Sequence, residues 1–167
     1  MAVTAINSEA RKRVTILGST GSVGCNTVDI VRRRPDDFEI VALTAHTNVD
    51  LLVKQALELR PKLAVIADPA RYASLKAGLA GTNIAAGAGA EALVEAASLP
   101  SDRVLAAIVG AAGLEPTLAA IRTGTVVGIA NKECLVCAGD LITAAAAASG
   151  AKLLPVDSGN MITLPFL

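Results

Sequence analysis

A short apolar run passes directly into a glycine-rich turn at Val14-Thr15-Ile16-Leu17-Gly18-Ser19-Thr20-Gly21-Ser22-Val23-Gly24. Its first four residues have the aliphatic, β-branched character of a buried strand, and a helical pattern runs from Val23 to Arg34. Glycine lets the chain turn tightly and lets its backbone approach a ligand, while the free N–H groups at a helix N-terminus attract negative charge. A strand, a glycine turn and a helix in this order predict a binding site for the pyrophosphate of a dinucleotide.

The spacing of these glycines is G-x-x-G-x-x-G, whereas the commoner dinucleotide fingerprint is G-x-G-x-x-G. A P-loop would need a lysine after the last glycine, but Cys25 and Asn26 follow Gly24. A side chain at Gly21 would either occupy the path of the pyrophosphate or force an unsuitable backbone angle. We therefore expect Gly21→Val to abolish dinucleotide binding while the fold stays largely intact.

Strand-like and helix-like segments alternate along the chain, which is typical of a parallel sheet covered by helices on both faces. The predicted strands are Val14–Leu17, Glu39–Leu43, Leu63–Ala67, Asn83–Ala85, Val104–Val109, Val126–Ala130 and Leu153–Val156. The predicted helices are Val23–Arg34, Val49–Arg60, Pro69–Leu79, Glu91–Ser98, Leu114–Arg122 and Glu133–Ser149. The pattern predicts an α/β fold with a doubly wound, mostly parallel, Rossmann-like sheet of about seven strands.

The composition limits the classes of partner. With 167 residues, of which 53% are hydrophobic and 18% charged, the chain can bury the core of one globular domain. Lysine and arginine total 15, as do aspartate and glutamate, so no excess positive field favours nucleic acid or an anionic membrane. No uncharged apolar run approaches the ~18 residues that span a bilayer. We expect a cytoplasmic protein that binds neither nucleic acid nor membrane.

The cysteines are Cys25, Cys134 and Cys137, an odd number in a chain without an export signal. A disulfide framework is therefore not expected, and the thiols are predicted to be reduced. Cys134 and Cys137 form a C-x-x-C pair, but no second pair is present and the single histidine, His46, is distant in sequence. We favour small buried residues on a helix face over a redox or zinc site.

The end of the second predicted strand bears on the choice of cofactor. In NAD sites an acidic residue at this point accepts from both ribose hydroxyls and repels a 2′-phosphate. Here the strand is followed by Thr44, Ala45, His46, Thr47 and Asn48, with no carboxylate, which favours NADP. The alternative for His46 is that it only ends a strand in a solvated loop.

Three later segments also place chemistry at predicted strand ends. The fifth strand ends in small residues from Gly110 through Ala111 to Gly113, where larger side chains would obstruct a ligand. An amide, a cation and a carboxylate follow the sixth strand at Asn131, Lys132 and Glu133. Asp157 and Ser158 end the seventh with oxygen ligands that suit Mg²⁺ or Mn²⁺, or alternatively cap a following helix.

Together these segments resemble the 1-deoxy-D-xylulose 5-phosphate reductoisomerase family. The segments that carry the resemblance are Thr15–Cys25, Val41–Leu43 followed by Asn48 and Val49, Ala107–Leu114 with Pro116–Ile121, Ala130–Glu133 and Leu153–Ser158. His46 and Thr47 depart from the family, which has a small residue and often a cation in this loop. The resemblance implies an NADPH-dependent enzyme of non-mevalonate isoprenoid synthesis. In this family a divalent metal, Mg²⁺ or Mn²⁺, binds the substrate oxygens while the carbon skeleton rearranges. NADPH then delivers hydride to give 2-C-methyl-D-erythritol 4-phosphate.

The same resemblance implies a role for each candidate site residue. The cofactor-binding residues would be Gly18, Thr20, Gly21, Ser22, Val23, Asn48, Ala111, Asn131 and Glu133. Those from Thr20 to Val23 would line the phosphates, and Asn48 would lie near the adenosine ribose. Lys132 and Ser158 would contact the sugar phosphate substrate, and Asp157 would be the first metal ligand. The full-length family enzyme is expected to be a homodimer.

The chain departs from the family after Ser158, because Gly159 stands where the family has a glutamate that is a second metal ligand. We expect a flexible leader over residues 1–12, an NADP-binding domain over 13–157 and a divergent tail over 158–167. A truncated chain of this kind would be inactive on its own. The alternatives are a non-catalytic dinucleotide-binding module and another dehydrogenase of the semialdehyde or homoserine type, although no nucleophile or substrate motif for the latter is found.

Overall fold

A computed structural model describes residues 10–157 and 166–167 of the chain. It contains seven parallel strands in one sheet, in the order β4-β3-β2-β1-β5-β6-β7. The strands are β1 (Lys12–Leu17), β2 (Phe38–Ala45), β3 (Leu63–Ile66), β4 (Ala85–Ala88), β5 (Arg103–Ala106), β6 (Val126–Ile129) and β7 (Lys152–Pro155). The helices are α1 (Ser22–Arg33), α2 (Val49–Leu59), α3 (Tyr72–Gly78), α4 (Gly89–Ser98), α5 (Leu114–Arg122) and α6 (Lys132–Ser149). The doubly wound α/β prediction is confirmed.

Helices cover both faces of the sheet, and the strand residues alternate between two cores. One core joins Val14 and Ile16 of β1 to residues of α1, α2 and α3. The other joins Leu17 of β1 to residues of α4, α5 and α6. Phe166 is buried in the first core, where its ring packs against Gly128. A Cβ added to Gly128 would lie only 2.9 Å from carbons of this ring.

Most boundaries differ by a few residues from the sequence-based prediction, and three of the differences are informative. Strand β1 already includes Lys12, which the sequence assigns to the leader. Strand β4 is Ala85–Ala88 rather than Asn83–Ala85, because Leu63 of β3 pairs with Ala85 and the following residues continue this register. Strand β5 ends at Ala106 rather than Val109, since its pairings with β1 and β6 both end there.

Helix α6 contains a break in its helical geometry. Ala138 has φ −136° and ψ 25°, so the first turns of α6 and its longer second part are two helical pieces in series. Among the residues that the structure describes, no helix combines the length and apolarity needed to cross a membrane.

Candidate functional site

A cleft of about 570 Å³ opens at the carboxyl edge of the sheet. The chain runs outward from β1 to β4 and then returns to the other side of β1 with β5, so the cleft lies where the strand order reverses. Its lining comes from the ends of six strands, from the start of α1 and from Leu93 of α4. The lining residues are Gly18, Thr20, Gly21, Ser22, Val23, Thr44, Ala45, His46, Asn48, Ala67, Leu93, Ala107, Ile108, Val109, Ala112, Ala130, Asn131 and Asp157.

Two glycines of the turn are required by geometry. Gly18 has φ +85°, and a Cβ on it would lie 2.5 Å from the Ala107 carbonyl oxygen. A Cβ on Gly24 would lie 2.0 Å from the Gly18 carbonyl oxygen, which is far inside van der Waals contact. These two residues let the loop, β5 and α1 approach one another.

Gly21 has a different role. Its φ is −76°, and a Cβ there would meet only the Gly18 oxygen, at 3.7 Å. The suggestion that a side chain at Gly21 would force an unsuitable backbone angle is therefore wrong. What remains is obstruction of the cleft, which Gly21 lines.

A buried polar pair that the sequence analysis missed fixes the glycine loop to α2. The Ser19 hydroxyl donates to Gln55 Oε1 at 2.7 Å, and Gln55 Nε2 donates to the Ser19 carbonyl at 2.9 Å. Ser19 is fully buried and Gln55 is 2% exposed. Thr44 at the end of β2 completes the anchor, because its hydroxyl oxygen accepts from the Gly18 N–H at 2.9 Å. A glutamine between apolar residues on the inward face of a predicted helix was the available signal.

The N-terminus of α1 lies at the cleft. In the described part of the chain no side chain caps this helix, and its first turn carries no acidic residue. Thr20, Gly21, Ser22 and Val23 all line the cleft. The partial positive charge of a helix N-terminus suits a phosphate group, so this wall can bind an anion although the chain has no net charge.

The β2 edge of the cleft carries no carboxylate. His46 is exposed and lines the cleft, and its carbonyl oxygen accepts from the Asp68 N–H at 3.1 Å. Asn48 also lines the cleft while its side-chain oxygen caps α2 by accepting from the Leu51 N–H at 3.1 Å. His46 is thus both at the end of a strand and within reach of a ligand in the cleft.

Asn131 holds the opposite wall together. It is 6% exposed, and its amide donates to the carbonyls of Ile108 at 2.7 Å and Gly110 at 3.0 Å. Its oxygen accepts from the N–H groups of Glu133 at 3.0 Å and Cys134 at 3.3 Å, which caps α6. These bonds explain why the chain leaves β5 early, because the loop after Ala106 is tied to α6.

The structure brings together most, but not all, of the predicted site residues. Gly18, Thr20, Gly21, Ser22, Val23, Asn48, Asn131 and Asp157 line the cleft. Lys132 and Glu133 are exposed at the start of α6 and are not part of the lining, and Ala112 lines it in place of Ala111. Ser158 lies outside the described residues.

The described residues do not supply a complete metal site. Asp157 is exposed at the edge of the cleft after β7. Nowhere in residues 10–157 and 166–167 do three His, Cys, Asp or Glu side chains group so that they could hold a metal ion. A hard divalent cation needs several oxygen ligands, so further ligands would have to join Asp157.

Both cysteines of the C-x-x-C pair are predicted to be buried, but only one of them is. Cys134 is buried at 4% exposure, whereas Cys137 is exposed. Burial raises the pKa of the Cys134 thiol, and the neighbouring Cys137 and Glu133 raise it further.

Fold and cleft together are those of a doubly wound α/β domain of the dinucleotide-binding class. A sequence model of 1-deoxy-D-xylulose 5-phosphate reductoisomerase matches residues 14–139. The chain belongs to this family, which replaces the alternative of a semialdehyde or homoserine dehydrogenase.

Relatives in this family cover nearly all of the described chain. The 1-deoxy-D-xylulose 5-phosphate reductoisomerase of Rhodospirillum centenum (strain ATCC 51521 / SW) is 61% identical over 147 residues, which are 88% of this chain and 37% of the relative. The enzyme from Zymomonas mobilis, solved in complex with NADPH, superposes with a TM-score of 0.87 at 51% identity and covers 88% of this chain and 39% of that one.

A reductoisomerase solved with NADPH, fosmidomycin and magnesium has a TM-score of 0.83 at 44% identity, over 86% of this chain and 36% of that one. The chain therefore spans less than two fifths of the length of these relatives.

Proposed function

We propose that this chain is the NADPH-binding part of a 1-deoxy-D-xylulose 5-phosphate reductoisomerase. The whole enzyme would rearrange and reduce 1-deoxy-D-xylulose 5-phosphate to 2-C-methyl-D-erythritol 4-phosphate. The observation that carries this proposal is the cleft itself, which is lined both by an uncapped helix N-terminus and by the end of β2, where no carboxylate is present. A similar fold accompanies NADPH in the Zymomonas mobilis structure.

The cofactor would lie across the carboxyl edge of the sheet with its phosphates at the start of α1. Thr20, Gly21, Ser22 and Val23 supply backbone donors and space for a pyrophosphate, because they line the cleft beside the glycine turn. Asn48 and His46 would lie near the adenosine ribose, since they end the neighbouring strand on the same cleft wall.

Asn131 acts on the cofactor site through the loop after β5 rather than through a free side-chain amide. Both its donors and its acceptor already have protein partners. Glu133 approaches this loop, since its Oε2 lies 4.0 Å from the point that a Cβ on Gly110 would occupy. We assign Ala111 and Glu133 to the rim of the cofactor site and Gly18 to its floor.

The preference for NADPH over NADH can be measured directly on the 167-residue chain. A carboxylate at the β2 edge would favour NADH, and this edge has His46 instead. Titration of the chain into each reduced cofactor, followed by the fluorescence of the nicotinamide, should give tighter binding of NADPH. Equal affinities, or tighter NADH, would refute the assignment.

The Gly21→Val variant tests whether the cofactor binds at the start of α1. Its backbone angle is ordinary and a Cβ there makes only an ordinary contact, so the variant should fold with near-normal thermal stability. The valine side chain would fill the space at the N-terminus of α1 and so abolish NADPH binding. Gly139→Val is the matched control, because Gly139 lies on α6 away from the cleft with no atom within 4 Å of its Cβ position. A folded Gly21→Val variant that still binds NADPH would place the cofactor elsewhere.

We propose residues 13–157 as the cofactor domain. Substrate and metal would be bound partly by this domain and partly by other parts of the enzyme. Asp157 would bind the divalent ion, while Lys132 and Ser158 would contact the sugar phosphate. Lys12 and residues 166–167 would belong to this domain as well, since Lys12 is in β1 and Phe166 is buried in the first core. The whole enzyme would be a homodimer. The 167-residue chain with NADPH, Mg²⁺ or Mn²⁺ and substrate should then show no turnover above background. Metal-dependent loss of NADPH absorbance at the rate of a full-length family enzyme would contradict this division.

A further inference from the structure

Two thiols lie one helical turn apart at the start of α6. Residues separated by three positions in a helix have Cβ atoms ~5–6 Å apart. Cys137 is exposed to solvent, and Cys134 lies beneath it at 4% exposure. Burial raises the pKa of the Cys134 thiol, and the charge of a Cys137 thiolate raises it further.

The helix is interrupted directly after this pair. Ala138 has φ −136° and ψ 25°, so the turn that carries both cysteines is separated from the second part of α6. A disulfide needs Cβ atoms ~3.5–4.5 Å apart, so closing the pair contracts this turn by about 1 Å. The break at Ala138 lets the first turn contract without bending the rest of the helix.

We propose that Cys134 and Cys137 are a dithiol site that forms a reversible disulfide by exchange with a low-molecular-weight disulfide such as oxidised glutathione. The Cys137 thiolate attacks one sulfur of the reagent, and a glutathione thiolate leaves. The Cys134 thiolate then attacks the Cys137 sulfur, and the second glutathione thiolate leaves. The two protein thiols together lose two protons and two electrons, and the reagent disulfide is reduced to two thiols.

The order of attack follows from exposure. A low-molecular-weight disulfide reaches the exposed Cys137 first, because Cys134 is covered by its neighbours. Cys134 needs no access to the solvent for the second step, since its target is the Cys137 sulfur one turn away. Contraction of the turn strains the resulting bond, and strained disulfides are the more easily reduced ones.

The bond would act on the cleft through Asn131. The Cys134 N–H donates to Asn131 Oδ1 at the long distance of 3.3 Å, and the same side chain holds the carbonyls of Ile108 and Gly110. Drawing Cys134 toward Cys137 lengthens this bond and leaves the Glu133 N–H, at 3.0 Å, as the remaining cap. The resulting shift of Asn131 would loosen the loop that lines the cleft at Ile108. This last step rests on the proposed function, and it predicts NADPH binding about fivefold weaker in the oxidised chain, the size of effect that loss of a helix cap has.

The test uses the full chain and a tryptic peptide. Cleavage after Lys132 and Lys152 gives one peptide, residues 133–152, that contains both cysteines of the pair and excludes Cys25. After treatment with oxidised glutathione and then N-ethylmaleimide, this peptide should be lighter by two hydrogens and carry no maleimide. Reduction should restore two reactive thiols. Hydrogen exchange at the Glu133 and Cys134 amides should be faster in the oxidised chain.

Two variants serve as controls. Cys137→Ser removes the exposed thiol at a position where serine costs little, and it should leave exchange at Glu133 unchanged by the oxidant. Cys25→Ser should behave as the parent chain does.

Each outcome decides one step of the proposal. A lasting glutathione adduct on either cysteine, without the loss of two hydrogens, overturns the disulfide. Unchanged amide exchange in the oxidised chain overturns the loosening of α6, and equal NADPH affinity of the two forms overturns its effect on the cleft. If the reduced chain fails to bind NADPH, the proposed function fails, while the mass and exchange measurements still decide the disulfide.

Discussion

Replacing Gly24 by alanine should destabilise the chain through a backbone clash. The added Cβ would lie 2.0 Å from the Gly18 oxygen and 2.7 Å from Ser19 Cα. Real Cβ atoms essentially never come within 3.0 Å of such atoms, so α1 would have to move by at least 1.0 Å. Neither atom belongs to a side chain that could rotate away. Overpacking of this kind costs about 1–3 kcal/mol and occasionally more.

Two smaller effects also change the expected loss in the free energy of unfolding. Alanine favours a helix over glycine by about 1 kcal/mol, which offsets part of the clash. Movement of α1 would also stretch the first bond of the helix, in which the Cys25 N–H donates to the Gly21 carbonyl at 2.8 Å. Because the clash joins backbone to backbone, we expect the upper end of the range and a net loss of about 2–3 kcal/mol in the free energy of unfolding.

Urea unfolding and thermal melting measure this loss. For a domain of this size 1 kcal/mol corresponds to about 2–4 °C in Tm, so Gly24→Ala should melt roughly 5–10 °C below the parent chain. Gly21→Ala is the matched control, because its Cβ would lie 3.7 Å from the same Gly18 oxygen. It should cost at most about 1 kcal/mol, as for an unfavourable residue at a helix N-cap. Equal melting temperatures for the two variants would show that the close approach of α1 to the glycine loop is not rigid.

Three further substitutions test the supports of the cleft. Gln55→Leu leaves a buried serine carbonyl without its donor and should cost about 2–3 kcal/mol in urea unfolding, whereas Lys54→Ala on the exposed side of α2 should change little. Asn131→Asp keeps the acceptor that caps α6 but loses both donations to the loop, so a drop of about 1–3 kcal/mol is expected, and an unchanged stability would contradict the bracing role. A hydrogen bond from the Arg13 backbone N–H lowers the pKa of Asp102 in the folded chain. The stabilisation that Asp102 gives is therefore complete above its pKa in the unfolded chain, and it is lost as the pH falls through the lower pKa of the folded chain. With the side chain 43% exposed, Asp102→Asn should cost only about 0.5 kcal/mol at pH 7, and this difference should vanish well below pH 3.8.

The order of elements could be predicted from the sequence because local signals agree with it. Apolar runs alternate with helical periods, and Gly124 and Gly150, each with φ +78°, stand between a helix and the following strand. The exact strand ends could not be predicted, because they depend on pairing. Strand β4 contains only alanine and glycine, and its register is set by β3 rather than by its own residues.

The residues of the site show the same difference between local sequence signals and contacts that form only on folding. The glycine turn and Asn48 could be found because their chemistry is local to one strand end. The Ser19–Gln55 pair joins residues 36 positions apart, and no periodicity reveals which two polar side chains will meet in a core. Asn131 lines the cleft, but its hydrogen bonds to the loop 21 and 23 positions earlier exist only in the folded chain.

Both walls of the cleft are held by internal hydrogen bonds. The wall formed by β1, α1 and β2 is fixed from within, since Ser19, Gln55 and Thr44 bond the glycine loop to its neighbours before any ligand arrives. On the other wall Asn131 braces the loop after β5 through its two donated hydrogen bonds, while Lys132 is exposed outside the lining of the cleft. Preorganised donors keep their binding energy, because little of it is lost to ordering. We therefore expect substitutions on the first wall to change NADPH affinity in this chain by itself. Those at Lys132 and Asp157 should change substrate and metal binding only in the longer enzyme.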